Sequence, residues 1–300
     1  MPLWPQPRLV TMSTELNTTT PMKPAPYTDR TVEVSGLKLH VQDYGTAGKP
    51  AMLCIHGSAA NAHWYDFVAN GLTDEYHVLA LDLRGHGDSD WDRSAVQHYT
   101  YDDYAADIHA LTEKLDLRDF ILVGHSMGGL VSTVYASTYP GRARAFIMID
   151  SSLNMSPDRI ATMNAVGARE GNSYADQNEF VERFKIRPAG SSATPEVVRH
   201  LALHAGRQFE DGRWRNKADR NVYALRIGRN LIPCWERIKI PALLMRGDRS
   251  NRVTPEIIAQ VKALAPQIAV MEVAGCDHHV TLDNPPGFVE VAKKFLNKIK

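Results

Sequence analysis

Cysteine is scarce in this chain. Three residues, Cys54, Cys234 and Cys276, stand far apart and are odd in number. They fit neither a disulfide framework nor a zinc ribbon, and the pattern suits a reducing compartment, so the cytoplasm is the expected location. Neither sign of charge is in excess: 34 lysines and arginines balance 34 aspartates and glutamates. That removes the electrostatic footprint of a nucleic-acid or anionic-membrane binder. No run of about 18 apolar residues is present to span a bilayer. The opening segment, MPLWPQPRLVTMSTELNTTTPMKPAP, has too much proline, threonine and charge for the apolar core of a signal peptide. Residues 1–28 are expected to form a disordered leader, with Met12 and Met22 as further possible start positions. There is no G-x-x-x-x-G-K-[ST] phosphate loop and no internal repeat.

What is present is an ordinary globular mixture, 44% apolar and 23% charged, over 300 residues. That is enough for one large core carrying a smaller insertion. TVEVSGLKLHVQDYG reads as a hairpin around Gly36. From residue 51 the pattern becomes strand, loop and helix in alternation. AMLCI, HVLALDL, DFILVG and RAFIMID are short, continuously apolar strands. YDDYAADIHALTEKL places Tyr104, Ile108, Leu111 and Leu115 on one helix face. Apolar strands separated by helices predict a mostly parallel sheet covered on both faces. The rhythm breaks over residues 152–232, where helix-like stretches such as ATMNAVGARE, QNEFVERF and PEVVRHLALHAG dominate. It resumes at IPALLMRG. The expected organisation is a sheet core over 29–151 and 233–300, interrupted by a helical cap over 152–232.

Gly124-His125-Ser126-Met127-Gly128 fits the G-x-S-x-G nucleophile elbow, in the strand–turn–helix context that the motif requires. A sharp turn would lift the Ser126 hydroxyl above the sheet and leave the Met127 amide free at a helix N-terminus, facing developing negative charge. Gly128 and Gly129 would let that helix lie close to the sheet. The plain alternative is a glycine-lined turn with no chemistry. A serine needs a base, and GCDHHVTLDNP offers His278 and His279 after the last strand.

Taken together these stretches resemble the α/β-hydrolase superfamily, in its esterase, lactonase and C–C hydrolase group with a helical cap. The resemblance covers residues 31–150 and 235–298 and implies an eight-stranded, mostly parallel α/β sheet. It implies that His278 is the base, from the family's G-x-G-H signature followed by Asp283-Asn284-Pro285, with Asp277 departing from the usual second glycine. His279 is then a pocket or surface neighbour. CIHGSAANAHWYDF matches the family's His-Gly loop, which implies that Ser58 supplies the second oxyanion-hole amide beside Met127. DLRGHGDS matches a segment that chiefly orders its own loop, so Asp82, Arg84, His86 and Ser89 are read as structural.

The acid is less direct. Most relatives have G-x-x-D after the strand read here in PALLMRG, and RGDRS puts Ser250 where that aspartate should be. A neutral serine cannot stabilise an imidazolium as a carboxylate does. Asp248 stands two residues early in the same loop, and Asp150 ends the strand FIMID, a site from which some members of the superfamily supply the acid. Asp150 is favoured and Asp248 is the alternative.

The expected chemistry is acyl transfer from a carboxylic ester or lactone of a small, partly apolar molecule to water, with no metal and no organic cofactor. Trp64, Phe180, Phe184, Trp214 and Tyr223 are candidates to line the pocket, and Arg183, Arg187, Arg207 and Arg213 are the cap's candidates for a carboxylate. A C–C bond hydrolase of diketone-type substrates, a cofactor-free dioxygenase and a non-catalytic binding protein are the competing readings. The expected partner is a small-molecule substrate, with no nucleic acid and no membrane; monomer and homodimer both remain open.

Overall fold

The computed structural model describes residues 23–299. The leader expected over 1–28 lies outside that range up to residue 22. From Lys23 the chain is packed: Ala25 is buried and its amide donates to Asp66 O at 2.8 Å. Strand β1 (Thr28–Val34) begins inside the expected leader and pairs antiparallel with β2 (Leu37–Asp43). Their turn is Ser35-Gly36, both with positive φ, as a tight hairpin of this twist requires.

After β3 (Ala51–Ile55), a 3₁₀ turn over Ala62–Tyr65 runs into α1 (Asp66–Ala69). Then come β4 (His77–Leu81), α2 (Tyr101–Lys114), β5 (Phe120–His125), α3 (Met127–Thr138) and β6 (Ala143–Ile149). Thr100 caps α2 by a reciprocal exchange with Asp103, which fixes where the helix starts. The insertion holds α4 (Pro157–Ala168), α5 (Gln177–Arg183), α6 (Pro195–Ala205), strands β7 (Gly206–Gln208) and β8 (Trp214–Asn216), and the short α7 (Asn221–Ala224). A 3₁₀ turn over Ile232–Arg237 leads back to β9 (Ala242–Gly247), α8 (Pro255–Leu264), β10 (Ala269–Val273), α9 (Val280–Asp283) and α10 (Pro285–Leu296). No helix of the described residues is long and apolar enough to cross a membrane.

The eight strands of the main sheet lie in the order β1-β2-β4-β3-β5-β6-β9-β10, and from β4 to β10 all neighbours are parallel. Side chains of β3 alternate between the two faces. Leu53 and Ile55 pack in the layer with α2 and α3, while Met52 and Cys54 pack with Phe288 and Phe295 of α10. The chain leaves β3 toward β4 and then crosses back to β5, so the loops after β3 and β5 diverge at one crevice on the carboxyl edge. Ligands bind at such a switch point in open α/β sheets.

The insertion leaves and rejoins the core at one place, where Leu231 N donates to Leu153 O at 2.8 Å. It differs from the all-helical cap that its sequence pattern predicts. GRQFEDGRWRN, residues 206–216, forms the antiparallel β7–β8 ribbon, extended by pairing of Tyr174 with Trp214. The turn is closed by Asp211-Gly212, with Gly212 at φ +76°. Asp-Gly between two short strand-forming segments is the signal that marks it.

The β5–α3 turn is held in close backbone contact with β3. Ser126 has φ 54° and ψ −117°, a conformation that costs a non-glycine residue about 1–3 kcal/mol. The amide of Ser126 donates to Ile149 O at 2.9 Å, and its carbonyl accepts from Gly129 N and Leu130 N. A Cβ on Gly128 would stand 2.2 Å from Ile55 O and 2.5 Å from His56 O. Backbone lies on backbone there, so nothing flexible can move aside. Gly128→Ala is therefore expected to lose about 3 kcal/mol or more of stability, read as a lower urea midpoint at unchanged slope. A midpoint within experimental error of the parent would show that α3 can move away from β3.

Candidate active site

Three elements deliver three side chains to one point. Ser126 follows β5, Asp150 follows β6, and His278 lies in the loop between β10 and α9. His125 pairs in register with Ile149, so Ser126 and Asp150 are the next residues on adjacent parallel strands. His278 Nε2 stands 3.0 Å from Ser126 Oγ, and its Nδ1 stands 2.7 Å from Asp150 Oδ2. With the carboxylate on the Nδ1 side, the ring proton sits there and Nε2 is free to accept from the serine hydroxyl. Such an alignment can serve as nucleophile, base and orienting acid.

The structure brings Asp150 to His278 and leaves Asp248 elsewhere. Asp248 is exposed, and its Oδ1 accepts from Cys276 N at 3.1 Å. Ser250, which holds the position of the missing aspartate, is buried and donates its hydroxyl to Asp150 Oδ2 at 2.7 Å. Asp150 is fully buried, with φ 45°, and its amide donates to Met245 O at 2.8 Å. Burial pushes its carboxyl up to about 7, against the lowering influence of the Ser250 bond and of Arg252 and Arg246; Asp277 adds to the rise. Burial pushes His278 the other way, to about 2, helped by His279 and Arg252. Burial thus keeps the His278 ring neutral at rest, free to take up a proton.

The two amides expected to face an oxyanion are unused: among the described residues neither Ser58 N nor Met127 N donates a hydrogen bond. Met127 opens the twelve-residue helix α3, whose N-terminus favours negative charge. The loop carrying Ser58 runs hard against the serine, because a Cβ on Gly57 would lie 3.2 Å from Ser126 Cβ. His56 fixes that loop: its Nδ1 donates to Gly57 O and its Nε2 accepts from Leu83 N.

Asp82, Arg84, His86 and Ser89 take the structural places expected of them. Asp82 accepts from Ala62 N, Asp88 N and His40 Nδ1, Arg84 forks onto Asp107, Ser89 donates to Asp82 O, and His86 donates to Arg84 O. His125 is buried and donates from Nε2 to His278 O at 2.9 Å, so the motif's second residue holds the base's loop. His279 is buried too, bonded to Pro188 O at 2.8 Å, and is a seam between core and cap rather than a surface neighbour. Trp64 lies against both rings, stacked on His125 and edge-on to His279.

The cap arginines singled out from the sequence do not reach this point. Arg183, Arg187 and Arg213 are exposed, and Arg207 lies over the rings of Trp91 and Phe209. The one that does is Arg226, which carries no motif. It is buried, its Nη2 donates to Ser58 Oγ at 2.9 Å, and it touches Met127 Sδ. Phe180 and Phe184 pack with Tyr174 inside the cap, and Tyr223 lies beside Arg226.

Among the described residues, His63, His200 and His204 have ring nitrogens near enough to one another to hold an ion. Two of the three, His63 and His200, already bond the buried Asp66 carboxylate, at 2.8 and 2.6 Å. His125, His278 and His279 also cluster, but His278 is committed at both nitrogens.

A family model described as alpha/beta hydrolase fold matches residues 50–285. The chain is 27% identical over 274 residues to a 2-(acetamidomethylene)succinate hydrolase of Mesorhizobium japonicum, covering 90% of this chain and 96% of the relative. It is 25% identical over 260 residues to an sn-1-specific diacylglycerol lipase of Mus musculus, covering 84% of this chain and 82% of that one. The crystal structure of E-2-(acetamidomethylene)succinate hydrolase superposes with a TM-score of 0.79 at 27% identity, over 91% of this chain and all of the other.

Ser250 offers a direct test of the electrostatics. Its hydrogen bond favours the charged carboxylate, so Ser250→Ala should raise the Asp150 pKa further. Activity that needs ionised Asp150 rises with pH through a limb near 7 in the parent. In the variant that limb should move to higher pH, with about a 3- to 10-fold loss at neutrality and recovery in alkali. A uniform loss at every pH would assign Ser250 to folding alone.

Proposed function

The chain belongs to the alpha/beta hydrolase fold family and is a hydrolase of that fold, and from that premise we propose that it is a serine hydrolase acting on a carboxylic ester or lactone of a small molecule through an acyl-enzyme. The observation that carries the reading is the continuous alignment Ser126 Oγ–His278–Asp150, at 3.0 and 2.7 Å. A serine at the elbow separates this chain from catalysts that alkylate an aspartate there.

The steps follow from where the protons sit. Ser126 attacks the scissile carbonyl while His278 Nε2 takes its proton. The imidazolium so formed faces the Asp150 carboxylate across a buried contact, where the attraction is stronger than in water. The carbonyl oxygen, now negative, meets the amides of Ser58 and Met127. His278 then gives its proton to the leaving oxygen, the bond breaks, and the acyl-enzyme remains. Water enters, loses a proton to the same nitrogen and attacks the acyl carbon; collapse returns that proton to Ser126 and frees the acid.

Ser126→Ala should abolish labelling by an organophosphonate and lower p-nitrophenyl ester turnover by at least about 10³. Labelling that survives the substitution would end the proposal. Asp150→Asn keeps shape and removes charge; in serine proteases the equivalent change costs about 10⁴ in turnover. Here a loss of several hundredfold or more is expected, in a variant whose melting curve shows it folded. Asp248→Asn should lose little. A folded but crippled Asp248→Asn beside a near-normal Asp150→Asn would reverse the assignment.

A further inference from the structure

Arg226 is a buried cation that the fold does not neutralise. It is 5% exposed, and no carboxylate among the described residues pairs with it. Its Nη2 donates to Ser58 Oγ at 2.9 Å and to Val222 O at 3.3 Å, and otherwise abuts Met127 Sδ. The guanidinium also meets the Tyr101 hydroxyl and lies over the Tyr223 ring, 5.8 Å from its centroid, and its charge is felt by the Tyr104 hydroxyl and the His86 ring; none of these is anionic. The Tyr104 hydroxyl and His86 Nε2 are themselves buried without a hydrogen-bond partner among the described residues. Arg84 shows the usual solution in the same molecule: equally sunk, it is forked by Asp107 with Asp92 at 3.7 Å.

A guanidinium stays charged at any working pH, and burying it without an anion costs several kcal/mol. Among the side chains it touches are those of Ser58 and Met127, the residues whose amides hold the acyl carbonyl in the proposed reaction. An acyl chain bound there puts its own substituents within a few bonds of Arg226.

We propose that Arg226 pairs with a carboxylate on the acyl half of the substrate, so that the enzyme acts on esters or lactones of dicarboxylic acids. The pairing rests on the acyl-transfer reading above. It assigns the specificity to a cap residue, delivered between α7 and the return to the core, rather than to the sheet. Arginine suits the task because its planar fork meets both oxygens of a carboxylate, which lysine cannot do.

The test compares p-nitrophenyl hemiglutarate with its methyl-capped diester, uncatalysed rates subtracted. The parent should favour the hemiester by about tenfold or more in kcat/KM. Arg226→Gln should lose at least about tenfold more on the hemiester than on the diester, and Arg226→Lys should restore part of the difference. Glutarate should inhibit the parent competitively and the glutamine variant about tenfold less well. No preference in the parent, or equal losses on both esters, would overturn the pairing and leave Arg226 a support for the Ser58 loop. If the parent hydrolyses neither ester, the acyl-transfer reading fails by itself. Glutarate then still decides the pairing: a rise in Tm in the parent that Arg226→Gln lacks upholds it, and no rise at about 10 mM overturns it.

Discussion

The approach of α3 to the end of β3 is the contact on which the site depends. The two backbones meet where Gly128 lies on the carbonyls of Ile55 and His56, and a side chain there would part them. Because they meet, the loop that leaves β3 passes directly beside the serine that ends β5. Ser58 and Met127 then present their amides from two segments remote in sequence. The strained φ of Ser126 belongs to the same contact. It turns the chain from strand to helix within one residue, and the bond from its amide to Ile149 O keeps it registered against β6. Strain of about 1–3 kcal/mol at one residue is sustained because the surrounding layer is fully buried and over-determines the turn.

That register also explains the source of the acid. Once Ser126 and Asp150 are next neighbours on parallel strands, a histidine arriving from the β10–α9 loop meets both at once. The strand beyond, β9, no longer has to supply a charge. What it supplies through Ser250 is a donor to the same oxygen that His278 uses, while Asp150 Oδ1 has no partner among the described residues. A carboxyl held this way is close to balanced between burial, which neutralises it, and its donors and nearby arginines, which keep it ionised. The position of the acid is thus a consequence of strand register, and Ser250 tunes its charge by one added donor.

Much of this architecture is legible in the amino-acid sequence, and the reason is locality. The elbow, the β1–β2 hairpin and the strand–helix alternation are set by residues within a few positions of one another, so sequence pattern and turn chemistry suffice. Asp150 and Asp248 are separable only by strand order and register, which connect residues about a hundred positions apart. The β7–β8 ribbon escapes periodicity although Asp211-Gly212 marks it, because the flanking strands are three residues each and carry no apolar alternation. Arg226 escapes for a different reason. In LRIGRN it looks like any surface arginine, and whether a long polar side chain is exposed or buried along its stem is decided by what packs over it. Residue type and spacing contain no trace of that.

Arg226 also changes what the cap is for. The cap's buried apolar residues are few in α4 and α5, Ile160, Gly167 and Phe180, and more numerous in α6, which buries Val197, Leu201, Ala202 and Ala205. Its seam with the sheet domain joins apolar contacts of Val197, Leu201 and Val222 to polar ones, His279 to Pro188 O, His200 to Asp66, Tyr99 to Asp219 and Ser191 to Asp283. The cap holds an uncompensated guanidinium against the neutral groups of Ser58 and Met127, an unfavourable placement when nothing anionic lies beneath. An anion at that point removes the penalty and adds an attraction across the seam. By linkage, whatever free energy the anion gains from the seated cap is returned as added stability of the seating. In the pairing proposed above, a substrate carboxylate at Arg226 would both select the substrate and tighten the cap's hold on the Ser58 loop.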